Sequence, residues 1–300
     1  MNYIALLRLK EWVKNLFLFI PVFFAGKIFV ADKWLYLVPA FFSFCFVASA
    51  IYIINDYCDR EDDRKHPEKR MRPLAAGTVS ASAALGMAGL LVGLGLWLAY
   101  ITGLSVKFFI VVLAYLLLNM GYSFGLKNIA ILDIVIVAAG FVLRVKGGSV
   151  VTQVPITEWL IIMIFLLALF MAIAKRRDDV LLRLSSGTDM RKSAKGYNLE
   201  FLNVSLALFC AVIVVAYFMY TMSPEVTLRM QTHRLYYTCL FVLCGILRYL
   251  QLVFVHQQSG SPTKILIRDR FIQICILLWA ASFYALLYIK NAKFLLDNTG

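Results

Sequence analysis

Charge is what this sequence lacks most. Only 16% of its 300 residues are Asp, Glu, Lys or Arg, against about a quarter in an ordinary soluble domain, and 62% are hydrophobic where about half is usual. That balance excludes a water-soluble globule, so the chain must be solvated mostly by lipid. Histidine is scarce as well: His66, His233 and His256 are the whole supply, which leaves little room for imidazole acid–base chemistry. The six cysteines, at 45, 58, 210, 239, 244 and 275, form no C-x-x-C pair and no metal spacing, and are expected to be reduced packing or lipid-facing residues. No repeat, low-complexity run or Pro/Gly/Ser-rich linker marks a second domain, so one membrane domain over residues 1–300 is expected. No small-residue cleavage site follows Arg8, Lys10, Glu11 and Lys14, so a removable signal peptide is not expected.

What is present is a series of long apolar runs. Spanning a bilayer takes roughly 20 apolar residues. Leu35 to Ile54, Phe201 to Met222 and Phe271 to Ile289 carry no charge at all. Shorter or interrupted runs fall at Leu16 to Val30, Ala81 to Thr102, Phe108 to Phe124, Asn128 to Leu143, Trp159 to Ala174 and Leu235 to Val255. The expected fold class is therefore all-α, a polytopic membrane bundle of about nine transmembrane helices. A net charge of +13 could suggest a nucleic-acid partner, but its distribution points to topology instead. With the N-terminus in the cytosol, 20 of the 30 Lys and Arg fall in cytosolic segments, as the positive-inside rule requires. No nucleic-acid partner is expected. The two long connections, 56–80 and 175–200, then share the cytosolic side, which concentrates polar chemistry on one face of a cytoplasmic-membrane protein.

The second span ends in Asn55-Asp56-Tyr57-Cys58-Asp59-Arg60-Glu61-Asp62-Asp63. At about 100° per helical residue, Asn55, Asp56, Asp59 and Asp63 fall within an arc of about 100°. Carboxylates on one helix face repel one another, so a cation must compensate. Mg²⁺ takes one or two carboxylates directly and leaves its other positions to water and substrate phosphates, so this face reads as a metal–diphosphate clamp. The bland alternative is a solvated charge run paired by Arg60, Arg64 and Lys65. The basic stretch Lys69-Arg70-Met71-Arg72-Pro73 puts phosphate-binding groups in the same connection.

In these residues the chain resembles the UbiA superfamily of intramembrane prenyltransferases, whose first aspartate-rich motif is N-D-x-x-D-x-x-x-D. Asn55, Asp56, Asp59 and Asp63 match it without a gap. His66-Pro67, Arg72-Pro73-Leu74-Ala75-Ala76-Gly77, Tyr122-Ser123 and Lys127 are also similar. Members that transfer prenyl groups carry a second motif, Y-A-x-x-D-x-x-x-D, where this chain reads Met171-Ala172-Ile173-Ala174-Lys175-Arg176-Arg177-Asp178-Asp179. Lysine stands in place of the first aspartate. With Leu9-Lys10-Glu11-Trp12-Val13-Lys14-Asn15 and Arg191-Lys192-Ser193, this departure resembles the decaprenyl-phosphate phosphoribosyltransferase branch.

That resemblance implies transfer of 5-phosphoribosyl from 5-phosphoribosyl 1-diphosphate to a polyprenyl phosphate, with Mg²⁺ as cofactor, feeding cell-wall arabinan synthesis. Asn55, Asp56, Asp59 and Asp63 are then the metal residues, with Asp59, Asp63 and Lys175 central to catalysis. Lys14, Asn15, Arg72, Tyr122, Lys127, Arg176 and Arg177 are expected at the substrates, and a homo-oligomer is left open. A lipid phosphate monoester, with its second pKa near 6, is already ionised at neutral pH and needs no strong base. His66 is accordingly read as a loop residue. Asp133 and Arg248, within spans, could contact the sugar or close internal ion pairs, while Arg144 is expected nearer the outer half. Two rivals remain. A conventional prenyltransferase with an aromatic acceptor would want acid at 175, and a transporter would want midplane charges in repeated halves, which are not seen.

Overall fold

A computed structural model describes residues 2–65, 69–102, 106–186, 196–256 and 268–288, with residue 265. His66, Pro67, Arg191, Lys192, Ser193, Lys264 and Asp297 lie outside the described residues. In a lipid interior each peptide group must find its hydrogen bond within the protein, which leaves helices and closed barrels. Among the described residues every regular element is helical.

The chain divides into two compact units, Met1–Ile156 and Thr157–Gly300. The first holds α1 (Asn2–Leu7), a 3-10 segment (Leu9–Phe19), α2 (Ile20–Phe24), α3 (Ala31–Lys65), α4 (Ala81–Thr102), α5 (Val106–Phe124) and α6 (Leu132–Thr152). The second holds α7 (Glu158–Ser186), α8 (Leu199–Met222), α9 (Pro224–Met230), α10 (Cys239–Phe254) and α11 (Arg270–Tyr288). Among the described residues, seven helical stretches are long and apolar enough to cross a membrane: α3 to α8, and Arg234–Phe254, which includes α10. The shorter apolar stretch Arg270–Leu286 lies within α11.

Eight of the nine expected runs overlap apolar helices, although Asn128 to Ile131 precede α6, Leu235 to Thr238 precede α10 and Ile289 lies outside the described residues; the remaining run forms no such helix. Leu16 to Val30 is divided among the end of the 3-10 segment, the five residues of α2 and a turn. Composition alone concealed the break. Pro21 has no N–H to continue a helix and sits in the first turn of α2, while Gly26 turns the chain at φ +67°. Upstream, Arg8 takes a left-handed backbone (φ 50°) that separates α1 from the 3-10 segment. A second difference lies in α6, which continues past Leu143 to Thr152 and keeps Arg144 inside the helix, 5% exposed. The charge that suggested an outer boundary has internal partners.

The long helix α3 organises the first unit. Ser43 Oγ donates to the Gly95 carbonyl at 2.7 Å, and a Cβ at Gly95 would come within 2.6 Å of Val47 and 3.0 Å of the Ser43 carbonyl. Such small-residue contacts let apolar helices approach closely where lipid supplies no hydrophobic drive. Phe44 is fully buried against Phe108 and Tyr115, with ring centroids 6.1 and 5.3 Å away. At Gly148 of α6 an added Cβ would lie 1.9 Å from the Leu18 carbonyl, so the broken N-terminal segment is seated backbone-to-backbone on α6. That seating brings Arg8 and Lys14 beside α3. In the second unit, α7 packs along α8 and α10 along α11, with Phe170 edge-on to Tyr249 at 5.0 Å.

Candidate active site

Helix α3 continues unbroken past its apolar stretch to Lys65. Asn55, Asp56, Asp59 and Asp63 therefore do share one helix face, and each is met by a basic residue from outside α3. Arg8 Nη2 donates to both oxygens of Asp56, at 2.6 and 2.7 Å. Arg72 Nη1 donates to Asp56 Oδ1 at 3.0 Å and to Asp63 Oδ2 at 2.7 Å. Lys127 Nζ donates to Asp59 Oδ1 at 2.5 Å and to Asn55 Oδ1 at 3.0 Å, and Asn55 Nδ2 donates to Asp59 Oδ2 at 3.1 Å. Three acids face three bases. Asp56 and Asp63 are each 4% exposed, a depth at which such charges must be paired. The bases that face the acids are Arg8, Arg72 and Lys127. Arg64 instead pairs with exposed Glu61, and Arg60 lies over the Tyr57 ring.

A cavity of about 430 Å³ opens beside this face, lined among others by Arg8, Lys10, Glu11, Asp56 and Arg72, with Ile4 on its apolar side. Its wall mixes apolar residues and two acids with three bases, Arg8, Lys10 and Arg72, which could meet phosphate through the planar fork of arginine and the point charge of lysine. The donor set on α3 consists of carboxylate and amide oxygens, the hard ligands that Mg²⁺ prefers, so these residues fit a magnesium site open to substrate. Among the described residues no three His, Cys, Asp or Glu converge into a closed cage, because the carboxylates are turned onto their basic partners.

Other expected site residues fall elsewhere. Lys14 pairs with Glu11 at 2.5 Å and lies half-buried next to this cavity wall. Asn15 is fully buried, and both ends of its amide are used. It receives Arg144 Nε at 2.7 Å and donates to Cys45 Sγ at 3.1 Å. Arg144 also donates to the Tyr115 hydroxyl at 2.7 Å and the Gly140 carbonyl at 2.9 Å. The pair forms an interior network that fixes the N-terminal segment, with no part of Asn15 facing the cavity. Tyr122 is half-buried near the end of α5, and Asp133 is fully buried in the first turn of α6.

Lys175, Arg176 and Arg177 belong to the second unit, on α7. Lys175 is exposed. Arg176 bonds Asp179 at 2.7 Å, and Arg177 donates to Asn203 Oδ1 at 2.7 Å and to the Val253 carbonyl at 3.4 Å. Both arginines are under 7% exposed. Arg248 closes an ion pair with Asp269 at 2.8 Å, and its hydrogen bond holds the Asp269 carboxyl below the usual range. The sequence reading did not assign a site role to Arg8. Its position 48 residues before Asp56 gives no local pattern, and only the basic character of the N-terminal segment hinted at it.

The sequence pattern of the UbiA prenyltransferase family matches residues 18–184. A decaprenyl-phosphate phosphoribosyltransferase from Corynebacterium glutamicum is 32% identical, covering 95% of this chain and 86% of the relative. One from Mycolicibacterium smegmatis is 35% identical, covering 96% and 92%. In fold the chain is similar to a UbiA homolog from Archaeoglobus fulgidus solved bound to DMAPP and Mg²⁺, with a TM-score of 0.70 at 22% identity over 96% of this chain and 100% of that one. With its multi-pass apolar helices, its gap-free acidic face and relatives of nearly full length, this chain belongs to the UbiA prenyltransferase family.

Proposed function

We propose that this membrane protein transfers the 5-phosphoribosyl group of 5-phosphoribosyl 1-diphosphate to a polyprenyl phosphate, supplying a precursor for cell-wall arabinan. The observation that carries the reading is the likeness to named decaprenyl-phosphate phosphoribosyltransferases along nearly the whole chain. Lys175, where prenyl-transferring relatives would place the first aspartate of their second motif, supports the same assignment, with Arg176 and Arg177 beside it.

In this reading an oxygen of the ionised lipid phosphate attacks the anomeric carbon of ribose. The bond from that carbon to the diphosphate oxygen breaks, and the electron pair leaves with the diphosphate. The sugar passes through an oxocarbenium-like state, as in glycoside transfer. Asn55, Asp56, Asp59 and Asp63 would hold Mg²⁺, whose charge offsets the negative charge gathering on the departing diphosphate. Arg72 and Lys127 would bind its oxygens, and Lys14 and Tyr122 would contact the substrates. Asn15 acts through Arg144 by fixing the N-terminal segment. Lys175, aided by the rigidly held Arg176 and Arg177, binds substrate phosphate directly. Transfer of radiolabel from the donor to polyprenyl phosphate tests the reading.

The reaction is further proposed to face the cytosol across the inner membrane. In a cysteine-free background, Asp62→Cys at an exposed position of α3 and Leu228→Cys, 78% exposed on α9, should differ towards a membrane-impermeant thiol reagent applied to intact cells. The expected result is labelling at 228 and protection at 62 until the membrane is opened. Labelling of both, or the reverse, contradicts the orientation.

A further inference from the structure

We propose that Arg8, Arg72 and Lys127 are exchangeable counter-ions. They neutralise the acidic face of α3 when no metal is bound, and they pass to diphosphate oxygens as metal and diphosphate enter, so the two ligands bind cooperatively. The inference rests on reading this face as a metal–diphosphate site, and it adds Arg8 to the residues that bind the donor.

The bases come from three places: the start of the 3-10 segment, the stretch after the 3-10 turn Lys69–Met71, and the 3-10 turn Leu126–Asn128 after α5. None is on α3, so each can withdraw without disturbing the helix that carries the acids. Asp56 already accepts three hydrogen bonds, two from Arg8 and one from Arg72. Arg72 Nη1 ties Asp56 to Asp63. Inner-sphere Mg²⁺ needs a carboxylate oxygen at about 2.0–2.1 Å, a position the guanidinium groups now guard. A divalent ion arriving alone must displace a guanidinium and then sit beside the charge it displaced. If diphosphate arrives as well, the displaced arginine turns to a new anion in the adjoining cavity, which Arg8 and Arg72 both line, and forms charge-assisted, often bidentate bonds. Each ligand thus removes the other's obstacle. Such coupling is reciprocal and ordinarily amounts to about 5- to 150-fold in affinity.

The consequence is a pair of effects with opposite signs. Arg8→Gln and Arg72→Gln should each tighten binding of Mn²⁺ alone severalfold, because a competitor for the carboxylates is gone. They should also weaken binding of inorganic diphosphate at saturating Mg²⁺ by about tenfold, within the ordinary range of coupling. Full-length protein purified in detergent serves for both measurements: free Mn²⁺ by electron paramagnetic resonance, and radiolabelled diphosphate by equilibrium dialysis. An arginine that only supports the fold would leave metal affinity unchanged or lower it when removed. That result in either folded variant, or movement of only one of the two affinities, overturns the proposal. Should one variant fail to fold, the other decides. Diphosphate is released from any diphosphate donor, so failed phosphoribosyl transfer would leave this test intact, and failure here would leave the transfer assignment standing.

Discussion

Asp63→Ala is expected to lower turnover at least about a hundredfold while the protein stays folded in the membrane. Removing a preorganised group that stabilises developing charge commonly costs about 10²- to 10³-fold. Asp63 is a clean site for the test because its partner Arg72 keeps a second acceptor, Asp56, at 3.0 Å. Asp59 requires a gentler change. Lys127, whose side chain is 8% exposed, would keep only Asn55 among these acceptors after truncation to alanine, and a buried cation deprived of its partner is costly. Asp59→Asn retains an oxygen for Lys127 while removing the negative charge, so its loss of turnover can be read without a folding defect. Chelation of divalent ions should reproduce both losses in the wild type, with Mg²⁺ restoring activity better than Ca²⁺, the larger ion of looser geometry. Near-normal turnover in both variants, at unchanged thermal stability, would remove the acidic face from the chemistry.

The second large effect is expected at Lys175, which separates phosphoribosyl from prenyl transfer. If its ammonium lies about 4 Å from a substrate phosphate oxygen, their attraction is about 4 kcal/mol per unit charge at an effective dielectric near 20, and Lys175→Asp replaces it with a similar repulsion. Lys175 is exposed, so water and salt discount this several-fold. Even so, affinity for 5-phosphoribosyl 1-diphosphate should fall at least about tenfold, at about 1.4 kcal/mol per decade. Added Mg²⁺ should not fully restore it, since Asp179, the motif's other aspartate, is held by Arg176 at 2.7 Å. A prenyltransferase would respond in the opposite sense, because aspartate at 175 moves the sequence towards the motif of prenyl-transferring relatives. Donor affinity and turnover measured with both classes of diphosphate decide between them. Unchanged use of the phosphoribosyl donor would release Lys175 from its assigned role.

The parts of this architecture that were legible in the sequence are those set by local periodicity. An uncharged run from Leu35 to Ile54 followed by acids at 56, 59 and 63 dictates one helix with one acidic face, and α3 has that form. The N-terminal segment was illegible for the complementary reason. Its composition suits a span, but Pro21, Gly26 and the left-handed Arg8 break it, and its stability comes from the close seating of Leu18 on Gly148, a contact across 130 positions. The same limit hid Arg8 from the site. Arg144 lies eleven residues past Asp133 on α6, as its spacing implied, but its partners Asn15 and Tyr115 come from other segments and left no local pattern. Arg248 resolved in favour of internal pairing, through Asp269. Sequence spacing conveys what one helix presents, while the partners it meets depend on packing between segments far apart in the chain.

Transfer of ribose between the two substrates is followed by its label. Purified protein is incubated in detergent with Mg²⁺, polyprenyl phosphate and 5-phosphoribosyl 1-diphosphate labelled in the ribose, and the organic phase is counted after extraction. The expected result is label in the lipid phase that requires Mg²⁺ and polyprenyl phosphate, with one diphosphate released per ribose transferred. Label confined to the aqueous phase, from protein that instead joins a prenyl diphosphate to an aromatic acceptor, would contradict it.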